Sequence, residues 1–344
     1  MPLPAEITTE AVLEDTLAEP SPADVDCVAR LNADVLVLGA AGKMGPSLAR
    51  RVHRAMTRAG GRHQVIAVSR FSSPAVRAGL EADGIATLAC DLLDPKQIAA
   101  LPRVPNVLFL AGRKFGTLDR TDLTWATNTL VPARVAEHFH QSRMVVFSTG
   151  NVYPLVESGS RGSTETDPPA PVGEYAQSCL GRERVVEFIS HELAMPALMF
   201  RLNYAVDLRY GTLVDLAQKV FSGVPIDLRM GYFNAIWQGD ANSYALRSLE
   251  ICSSPPAVLN VTGPERISVR EMADWFGFVF GRTPRFEHSE GPVALLSDSS
   301  RCRALLGEPS VPLTVLREWV AHWVRSGGAT LNKPTHFEVT DGRF

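Results

Sequence analysis

Residues 34–45 read Asp34-Val-Leu-Val-Leu-Gly39-Ala-Ala-Gly42-Lys-Met-Gly45, a short apolar run followed by three glycines spaced three residues apart. A helical pattern then continues to about Ala59. The apolar run is typical of a buried strand, and the glycines predict a tight turn into the N-terminus of a helix. This strand-turn-helix unit fixes the fold class, because similar strands and helices alternate after it.

Five more short apolar runs follow, at 64–69, 85–89, 106–110, 143–149 and 196–202. Continuous apolar strands that alternate with helices indicate a parallel sheet covered on both faces. Right-handed crossovers between such strands give a doubly wound sheet. We therefore predict an α/β fold, a doubly wound parallel (Rossmann) sheet with a smaller C-terminal substrate lobe.

The regular alternation sets the expected domain organisation. Residues 1–32 are acidic and are expected to be an extension with one short helix near 9–18. The extension either packs on the body or stays loose, and a solvated tail is favoured over a lid that covers the cleft. The dinucleotide-binding domain is expected at 33–205. Residues 206–330 are expected to be mostly the C-terminal substrate-binding lobe, with some segments that return to the sheet, and 331–344 a tail.

Composition excludes several classes of function. The chain has 344 residues and a formal net charge of −3, so no strong field favours nucleic acid or an acidic membrane. No apolar run approaches the roughly 20 residues of a membrane span. The five cysteines lack metal-ligand spacing. We predict a cytoplasmic protein that binds no metal, no nucleic acid and no membrane.

The glycine turn predicts a bound dinucleotide. Gly39 allows the tight turn, Gly42 lets a phosphate approach the backbone, and Gly45 lets the helix pack on the strand. The helix N-terminus then faces the pyrophosphate. Met44 and Lys43 lie in the same turn. Lys43 has two interpretations of equal weight, a phosphate contact and a solvated lysine at the helix N-terminus.

The end of the second strand distinguishes NADP from NAD. A carboxylate there would bind the ribose 2′-hydroxyl and repel a 2′-phosphate, but this chain has Ser69 and Arg70. Because arginine binds phosphate well, we expect NADP as the preferred cofactor and NAD as the alternative. An arginine that binds no ligand is the other interpretation. Asp91 and Leu92, after the third strand, are expected to border the adenine.

Four stretches together resemble a known family: the glycine turn, Ala111-Gly-Arg-Lys-Phe-Gly116, Asn128, and Ser148-Thr-Gly-Asn-Val-Tyr153 followed by Tyr175. On these motifs, residues 33–327 resemble the extended short-chain dehydrogenase/reductase family, which contains the NAD-dependent sugar epimerases and dehydratases, and in particular its UDP-galactose 4-epimerase-like members.

The resemblance implies roles for these residues. Ala111 and Gly112 would pass beside the cofactor, Lys114 would contact its phosphates or lie near the nicotinamide, and Asn128 would position it. Family members usually dimerise through two helices, which here span about 119–140 and 174–191. A homodimer is therefore the implied state.

The implied reaction is hydride transfer with a small sugar-like substrate. Thr149 would polarise the reacting oxygen, Tyr175 would exchange its proton, and the nicotinamide would take and return the hydride. Asn151 and Asn203 occupy positions expected to bind substrate. The implied activity is that of an NAD(P)-dependent oxidoreductase or epimerase that acts on a hydroxyl or carbonyl.

The chain departs from the family pattern at Cys179, which stands where the family has a lysine beside the cofactor, four residues after the tyrosine. Free tyrosine has a pKa of about 10 and needs a nearby cation to act as a base at neutral pH. Either the oxidised nicotinamide acts with Arg182 or Lys114, or the enzyme is slow or has an easily ionised substrate, or catalysis has been lost.

The third explanation defines the alternative function, a non-catalytic NAD(P)-binding regulator or scaffold. A second departure narrows the reaction. Gly150 and Asn151 stand where the sugar-nucleotide dehydratases of the family carry an Asp-Glu pair, so dehydration is not expected.

Overall fold

The computed structural model describes residues 3–114, 116, 119–333 and 335–342. The first two residues of the extension, part of the loop after Lys114 and parts of the tail lie outside this set. Seven strands form the main sheet: β1 Val35–Leu38, β2 Val65–Ser69, β3 Ala86–Ala89, β4 Asn106–Phe109, β5 Arg143–Thr149, β6 Ala197–Leu202 and β7 Ala257–Val261.

The strand order is β7-β6-β5-β4-β1-β2-β3, and every pair is parallel. The predicted doubly wound α/β fold is therefore confirmed. The first six strands are the predicted ones. The seventh comes from residues beyond 205, so part of the later chain does return to the sheet.

The helices are α1 Glu10–Ala18, α2 Pro22–Leu31, α3 Gly45–Arg58, α4 Pro74–Ala82, α5 Pro95–Ala99, α6 Thr121–Trp125, α7 Val131–His138, α8 Gly173–Leu193, α9 Thr212–Ser222, α10 Gln238–Arg247, α11 Val269–Phe280, α12 Ser300–Leu306 and α13 Leu313–Arg325. A π-helical segment, Ala126–Leu130, joins α6 to α7. None of the helices in the described part of the chain has the length and apolarity that a membrane span requires.

Short two-residue strands pair outside the main sheet, at Val156–Glu157 with Val293–Ala294, Ala205–Val206 with Ile236–Trp237, Ile226–Asp227 with Phe286–Glu287, and Tyr232–Phe233 with Ile267–Ser268. They hold together the lobe that lies beyond the carboxyl ends of the sheet strands.

The sheet is buried on both faces at its mainly apolar central strands, whereas the edge strand β3 is largely exposed. In β1, Val35 and Val37 join a core shared with α3 and α10, and Leu36 and Leu38 join a second core shared with α7 and α8. A third core fills the C-terminal lobe. The sheet is thus the middle layer of three, and the carboxyl ends of its strands face the third core's lobe.

The N-terminal extension is not a solvated tail in its described part. It contains two helices, and α2 was not predicted although Ser21 and Asp24 form a capping box around Pro22. Leu13 and Leu17 of α1 are fully buried. The extension therefore belongs to the folded body, where it packs against α3 and α10.

One buried carboxylate ties the extension to the sheet domain. Asp24 accepts from Arg51 Nε of α3 at 2.8 Å, from Ser243 Oγ of α10 at 2.6 Å and from the Ser21 backbone N–H at 2.8 Å. Asp24 is fully buried and Arg51 nearly so. The charge of each partner is therefore compensated only while α2, α3 and α10 stay packed.

The C-terminal tail also packs on the body. The Thr335 backbone N–H and hydroxyl donate to Asp215 of α9 at 2.7 and 2.6 Å, and Phe337 is buried in the core of the C-terminal lobe. Farther on, the backbone of Gly342 lies against Gly173, the first residue of α8, so closely that a Cβ on either glycine would overlap the other residue. The tail therefore reaches from the C-terminal lobe to the start of α8.

We expect Asp24→Asn to lower the free energy of unfolding by about 3–5 kcal/mol, because it leaves the Arg51 guanidinium buried without a counter-charge. Urea unfolding followed by circular dichroism measures the change. Asp26→Asn, on the exposed side of the same helix, is the matched control and should change stability by less than about 0.5 kcal/mol. Equal effects of the two substitutions would contradict the role given to this ion pair.

Candidate active site

A cleft runs along the carboxyl ends of β1, β2, β3 and β4, and we call it the cofactor cleft. Its lining includes most residues that the sequence assigned to the cofactor, namely Gly39, Gly42, Ser69, Arg70, Asp91, Leu92, Ala111, Gly112 and Lys114. These residues come from four separate strand ends, which the parallel sheet brings to one edge.

The glycine turn is shaped by close backbone contacts. Gly39 has a φ of +90°, and a Cβ there would lie 2.8 Å from the Ala111 backbone nitrogen. A Cβ on Gly45 would lie 2.5 Å from the Ala40 carbonyl oxygen. Both positions need glycine, the first for its backbone conformation and its approach to the chain after β4, and the second for packing of α3 on the turn.

The turn fits a dinucleotide diphosphate. A Cβ on Gly42 would meet only the Gly39 carbonyl oxygen within 4 Å, so the side of the turn that faces the cleft is open. The helix α3 begins directly after Met44, with no side-chain cap and no acidic residue in its first turn. Its N-terminal N–H groups and positive dipole end are therefore available for phosphate oxygens.

An inner cavity of about 240 Å³ opens beside the cofactor cleft, and Gly112, Arg113 and Lys114 line both. The inner cavity brings together the side chains Thr149, Asn151, Tyr175, Arg182, Asn203, Lys43, Tyr204, Tyr210, Thr212 and Thr335. The catalytic pair and both substrate positions assigned from the sequence therefore meet in one space.

Thr149 ends β5 and Tyr175 lies in the first turn of α8. Both side chains line the inner cavity, and Thr149 Oγ1 accepts from the Asn151 backbone N–H at 3.2 Å. Burial raises the pKa of Tyr175 well above its usual value, and Cys179, one turn along α8, adds to the rise. The positive charge of Arg182 and the nearby Thr149 hydroxyl act in the opposite direction and lower the Tyr175 pKa.

Arg182 is buried two turns after Tyr175. Its Nη1 donates to the Phe147 carbonyl at 2.5 Å, its Nε donates to the Asn128 carbonyl at 3.2 Å, and its Nη2 donates to Asn128 Oδ1 at 3.0 Å. A Cβ on Gly112 would lie 2.7 Å from Arg182 Nη2, so the loop after β4 needs glycine at this position. The guanidinium is thus fixed beside both the cofactor cleft and Tyr175.

Asn128 organises the wall between cleft and cavity. Its Oδ1 accepts from the Arg113 backbone N–H at 2.7 Å, and its Nδ2 donates to the Arg113 carbonyl and to Ser178 Oγ, both at 2.9 Å. Asn128 lies in the π-helical segment, a helix form that is often found at functional sites. From this segment, the Asn128 side chain contacts both the loop after β4 and α8.

Lys43 points toward the C-terminal lobe. Its Nζ donates to the Ala205 carbonyl at 2.9 Å and lies 4.0 Å from the centre of the Tyr210 ring. The side chain is half-buried and lines the inner cavity. Lys43 is therefore not the solvated lysine of one interpretation, and the phosphate contact of the other stays a prediction.

Asn203 is 2% exposed and packs against Gly150, where a Cβ would lie 3.0 Å from Asn203 Cγ. Within the described part of the chain, its Nδ2 has no hydrogen-bond partner. A buried amide donor in this state is available to a ligand in the inner cavity.

A buried network under the site was not predicted. Glu183 accepts from Ser148 Oγ at 2.5 Å and from Arg201 Nη2 at 2.6 Å, and Arg201 Nη1 donates to the Tyr153 hydroxyl at 2.6 Å. Tyr153 in turn donates to Asn260 of β7 at 2.9 Å. The partners are far apart in sequence, so no local spacing reveals them. The network joins α8 to β5, β6 and β7.

Among residues 3–114, 116, 119–333 and 335–342, no group of three or more His, Cys, Asp or Glu is placed to hold a metal ion. Cys179 is buried against Val152 and Tyr153, and burial raises its pKa. The thiol is therefore protonated at neutral pH and supplies no charge to Tyr175.

Comparisons with known proteins agree with this geometry. Residues 35–205 match the model of the NAD dependent epimerase/dehydratase family. No curated protein sequence matches the chain.

Three solved structures share the fold. The UDP-glucose 4-epimerase of Thermotoga maritima with UDP-glucose has a TM-score of 0.68 and 18% identity, over 86% of this chain and 99% of that one. The UDP-Glc/GlcNAc 4-epimerase of Campylobacter jejuni has a TM-score of 0.67 and 21% identity, over 84% of this chain and 98% of that one. The UDP-glucuronic acid 4-epimerase of Bacillus cereus in complex with NAD has a TM-score of 0.66 and 18% identity, over 85% of this chain and 98% of that one.

At these identities the structural likeness establishes the fold, and the family model adds the cofactor class. Residues 35–205 therefore form a domain of the NAD-dependent epimerase/dehydratase family.

Proposed function

We propose that this protein is an NAD(P)-dependent oxidoreductase or epimerase that acts on a hydroxyl or carbonyl of a sugar or sugar derivative. The hydroxyls of Thr149 and Tyr175, which line one cavity that opens on the cofactor cleft, carry this proposal. Two hydroxyl groups held together can bind one substrate oxygen from two sides, as proton exchange at that oxygen requires.

Each side chain has a distinct role. Thr149 donates to the reacting oxygen and keeps it in place. Tyr175 takes the proton when a hydroxyl becomes a carbonyl and returns it in the reverse direction. The nicotinamide, when bound, supplies the acceptor and donor of the hydride. Gly150 and Asn151 bring no carboxylate to the substrate, so the proposal excludes dehydration.

We assign the charge that the missing lysine would supply to Arg182. Its guanidinium stays protonated at all working pH values and lies close enough to Tyr175 to lower the pKa of the hydroxyl. Lys114 is a second cation near Cys179, and burial lowers its pKa to about 8. The first of the three explanations for Cys179 is therefore the one we adopt.

A non-catalytic NAD(P)-binding regulator or scaffold is the second candidate, and Cys179 is the observation that favours it. Both candidates bind the cofactor, and only the first transfers hydride. Turnover that depends on Tyr175 therefore distinguishes them.

We propose NADP as the preferred cofactor. Ser69 and Arg70 line the cofactor cleft at the end of β2, next to Asp91 and Leu92, and β2 ends without a carboxylate that would repel a 2′-phosphate. The family assignment itself extends to NAD, which stays the alternative.

We also propose a homodimer that works in the cytoplasm. Trp125, Leu130 and Phe188 leave 38, 45 and 65% of their surface exposed on the helices that pair in dimeric family members. Large apolar side chains that are exposed on neighbouring helices are typical of a protein interface. The cysteines are free thiols, which suits a reducing compartment.

Tyr175→Phe should lower turnover at least about 100-fold, the scale of a lost acid/base group, and leave NADPH binding unchanged.

Arg182→Gln should move the pH dependence of substrate oxidation to higher pH, because loss of the cation raises the Tyr175 pKa, and Arg182→Lys should move it less. Stopped-flow measurement of reduced nicotinamide follows both. Tyr232→Phe in the C-terminal lobe is the matched control. Normal turnover in Tyr175→Phe would remove this residue from the mechanism.

Fluorescence titration should give a lower Kd for NADPH than for NADH. Arg70→Ala should weaken NADPH binding by about 10–100-fold, the worth of a hydrogen bond to a charged group, and leave NADH binding unchanged. Arg62→Ala, exposed before the other end of β2, is the control and should change neither. Equal affinity for the two cofactors in the unaltered protein would overturn the preference.

Sedimentation velocity should show a dimer for the unaltered chain and a monomer for Phe188→Glu, because a charge in the apolar interface is costly to bury. Phe278→Glu serves as the control, since Phe278 is 87% exposed on α11, in the C-terminal lobe. A monomeric unaltered chain, or a dimeric Phe188→Glu variant, would refute the proposed interface.

A further inference from the structure

The C-terminal tail lies between two cavities. One is the inner cavity of about 240 Å³, and the other, which we call the outer cavity, has a volume of about 420 Å³. Thr335 lines the inner cavity, whereas its neighbour His336 lines the outer cavity. No described residue lines both cavities. The tail therefore forms part of the wall that separates them.

The first turns of α9 form the other part of this wall. Thr212, at the start of the helix, lines the inner cavity, and Asp215 lines the outer cavity. Asp215 Oδ2 accepts from the Thr335 backbone N–H at 2.7 Å and from the Thr335 hydroxyl at 2.6 Å. These two hydrogen bonds join the tail to the helix at the point where the two cavities approach each other.

The tail is held on both sides of Thr335. Before it, the Leu331 backbone N–H donates to the Arg209 carbonyl at 3.0 Å. After it, Phe337 is 1% exposed in the core of the C-terminal lobe, and its ring centre lies 5.7 Å from that of Phe233. A buried aromatic side chain next to Thr335 gives this part of the wall a fixed position.

Two later contacts extend the attachment. Glu338 forms an ion pair with Lys219 of α9. A Cβ on Gly342 would lie 2.3 Å from the Val172 carbonyl oxygen, directly before α8. The tail is thus attached both to the C-terminal lobe and to the start of the helix that carries Tyr175.

This wall limits how far a substrate can extend from Thr149 and Tyr175. At about 240 Å³ the inner cavity is below the roughly 300–1,000 Å³ of pockets for drug-sized ligands. A nucleotide sugar adds a diphosphate, a ribose and a base to the reacting sugar. It would need the space of the outer cavity as well, and the wall separates that space from the reacting hydroxyls.

We propose that the tail determines the size of the substrate. It restricts the substrate to a free sugar or sugar derivative of monosaccharide size and excludes nucleotide sugars. The restriction rests on the proposed function, which it narrows to a substrate class. Thr335, Asp215 and Phe337 then determine specificity through the shape of the wall, without taking part in proton or hydride transfer.

UDP-glucose is the probe that tests this proposal, and calorimetry on the full chain measures its binding. Saturation with oxidised NADP keeps the probe out of the cofactor cleft. The unaltered chain should bind UDP-glucose with a Kd above about 1 mM. Asp215→Ala removes the acceptor of both Thr335 hydrogen bonds, and Gly342→Val forces the tail away from the Val172 carbonyl. Each variant should bind UDP-glucose at least about 10-fold more tightly than the unaltered chain.

Each variant has a matched control. Asp274→Ala changes an exposed carboxylate on α11 of the same lobe, and Gly159→Val adds a side chain where a Cβ has no atom within 4 Å. Both controls should bind UDP-glucose as weakly as the unaltered chain. NADPH titration checks that each variant is folded. If Asp215→Ala does not fold, Gly342→Val decides alone, because it alters neither the inner cavity nor the core of the lobe.

Hydrogen exchange of the tail amides shows whether a variant has released the tail. A released tail without a gain in UDP-glucose affinity would show that the tail is not the barrier. Unchanged exchange in both variants would show that these contacts do not hold it. Tight binding of UDP-glucose by the unaltered chain would show that nucleotide sugars are not excluded. Each of these three results overturns the proposal.

Failure of the proposed function looks different. In that case the two variants would still gain affinity for UDP-glucose, while no sugar would reduce the cofactor in the unaltered chain. Turnover of UDP-glucose by the unaltered chain would have the opposite meaning, because it would support the proposed function and refute the size limit.

Discussion

A guanidinium that cannot lose its charge has to find oxygen acceptors when it is buried, and much of the site follows from how Arg182 finds them. Its acceptors are the carbonyl of Phe147, at the end of β5, and two oxygens of Asn128. The helix around Asn128 widens into a π turn, which brings both of these oxygens to one place. The loop after β4 has glycine at position 112, because any Cβ there would overlap the guanidinium.

Under the proposed function, the same constraint explains how a tyrosine site can work without its lysine. The cation, Arg182, comes from the turn of α8 that follows Cys179 and is held by backbone and amide oxygens. Cys179 is a small neutral side chain packed against Val152 and Tyr153. The ion pair of Glu183 and Arg201 fixes α8 to the strands, so the position of the Tyr175 hydroxyl depends on charges on both sides of the helix.

The sequence predicts local features well and long-range ones poorly. The six strands from 35 to 202 were found because each is a mainly apolar run, and the glycine turn was found because its spacing is local. The strand Ala257–Val261 was missed, since the partners of its buried Asn260, among them Tyr153, Ser163 and Glu165, are distant in sequence. The position of Lys43 in the glycine turn could be predicted from the sequence, but the direction of its side chain, which reaches the Ala205 carbonyl, could not. The helix α2 was missed although its capping box is local, because an acidic stretch that contains proline was interpreted as a tail.

The contact between Gly342 and Gly173 has a consequence for how the protein is made. Synthesis releases the chain N-terminus first, and domains generally fold as they emerge. Here the sheet can form early, but β7, the helices of the C-terminal lobe and finally the tail each add a missing wall. The backbone around Gly342 lies against the first turn of the helix that carries Tyr175. A nascent chain therefore has a glycine turn long before Thr335 completes the wall of the cavity.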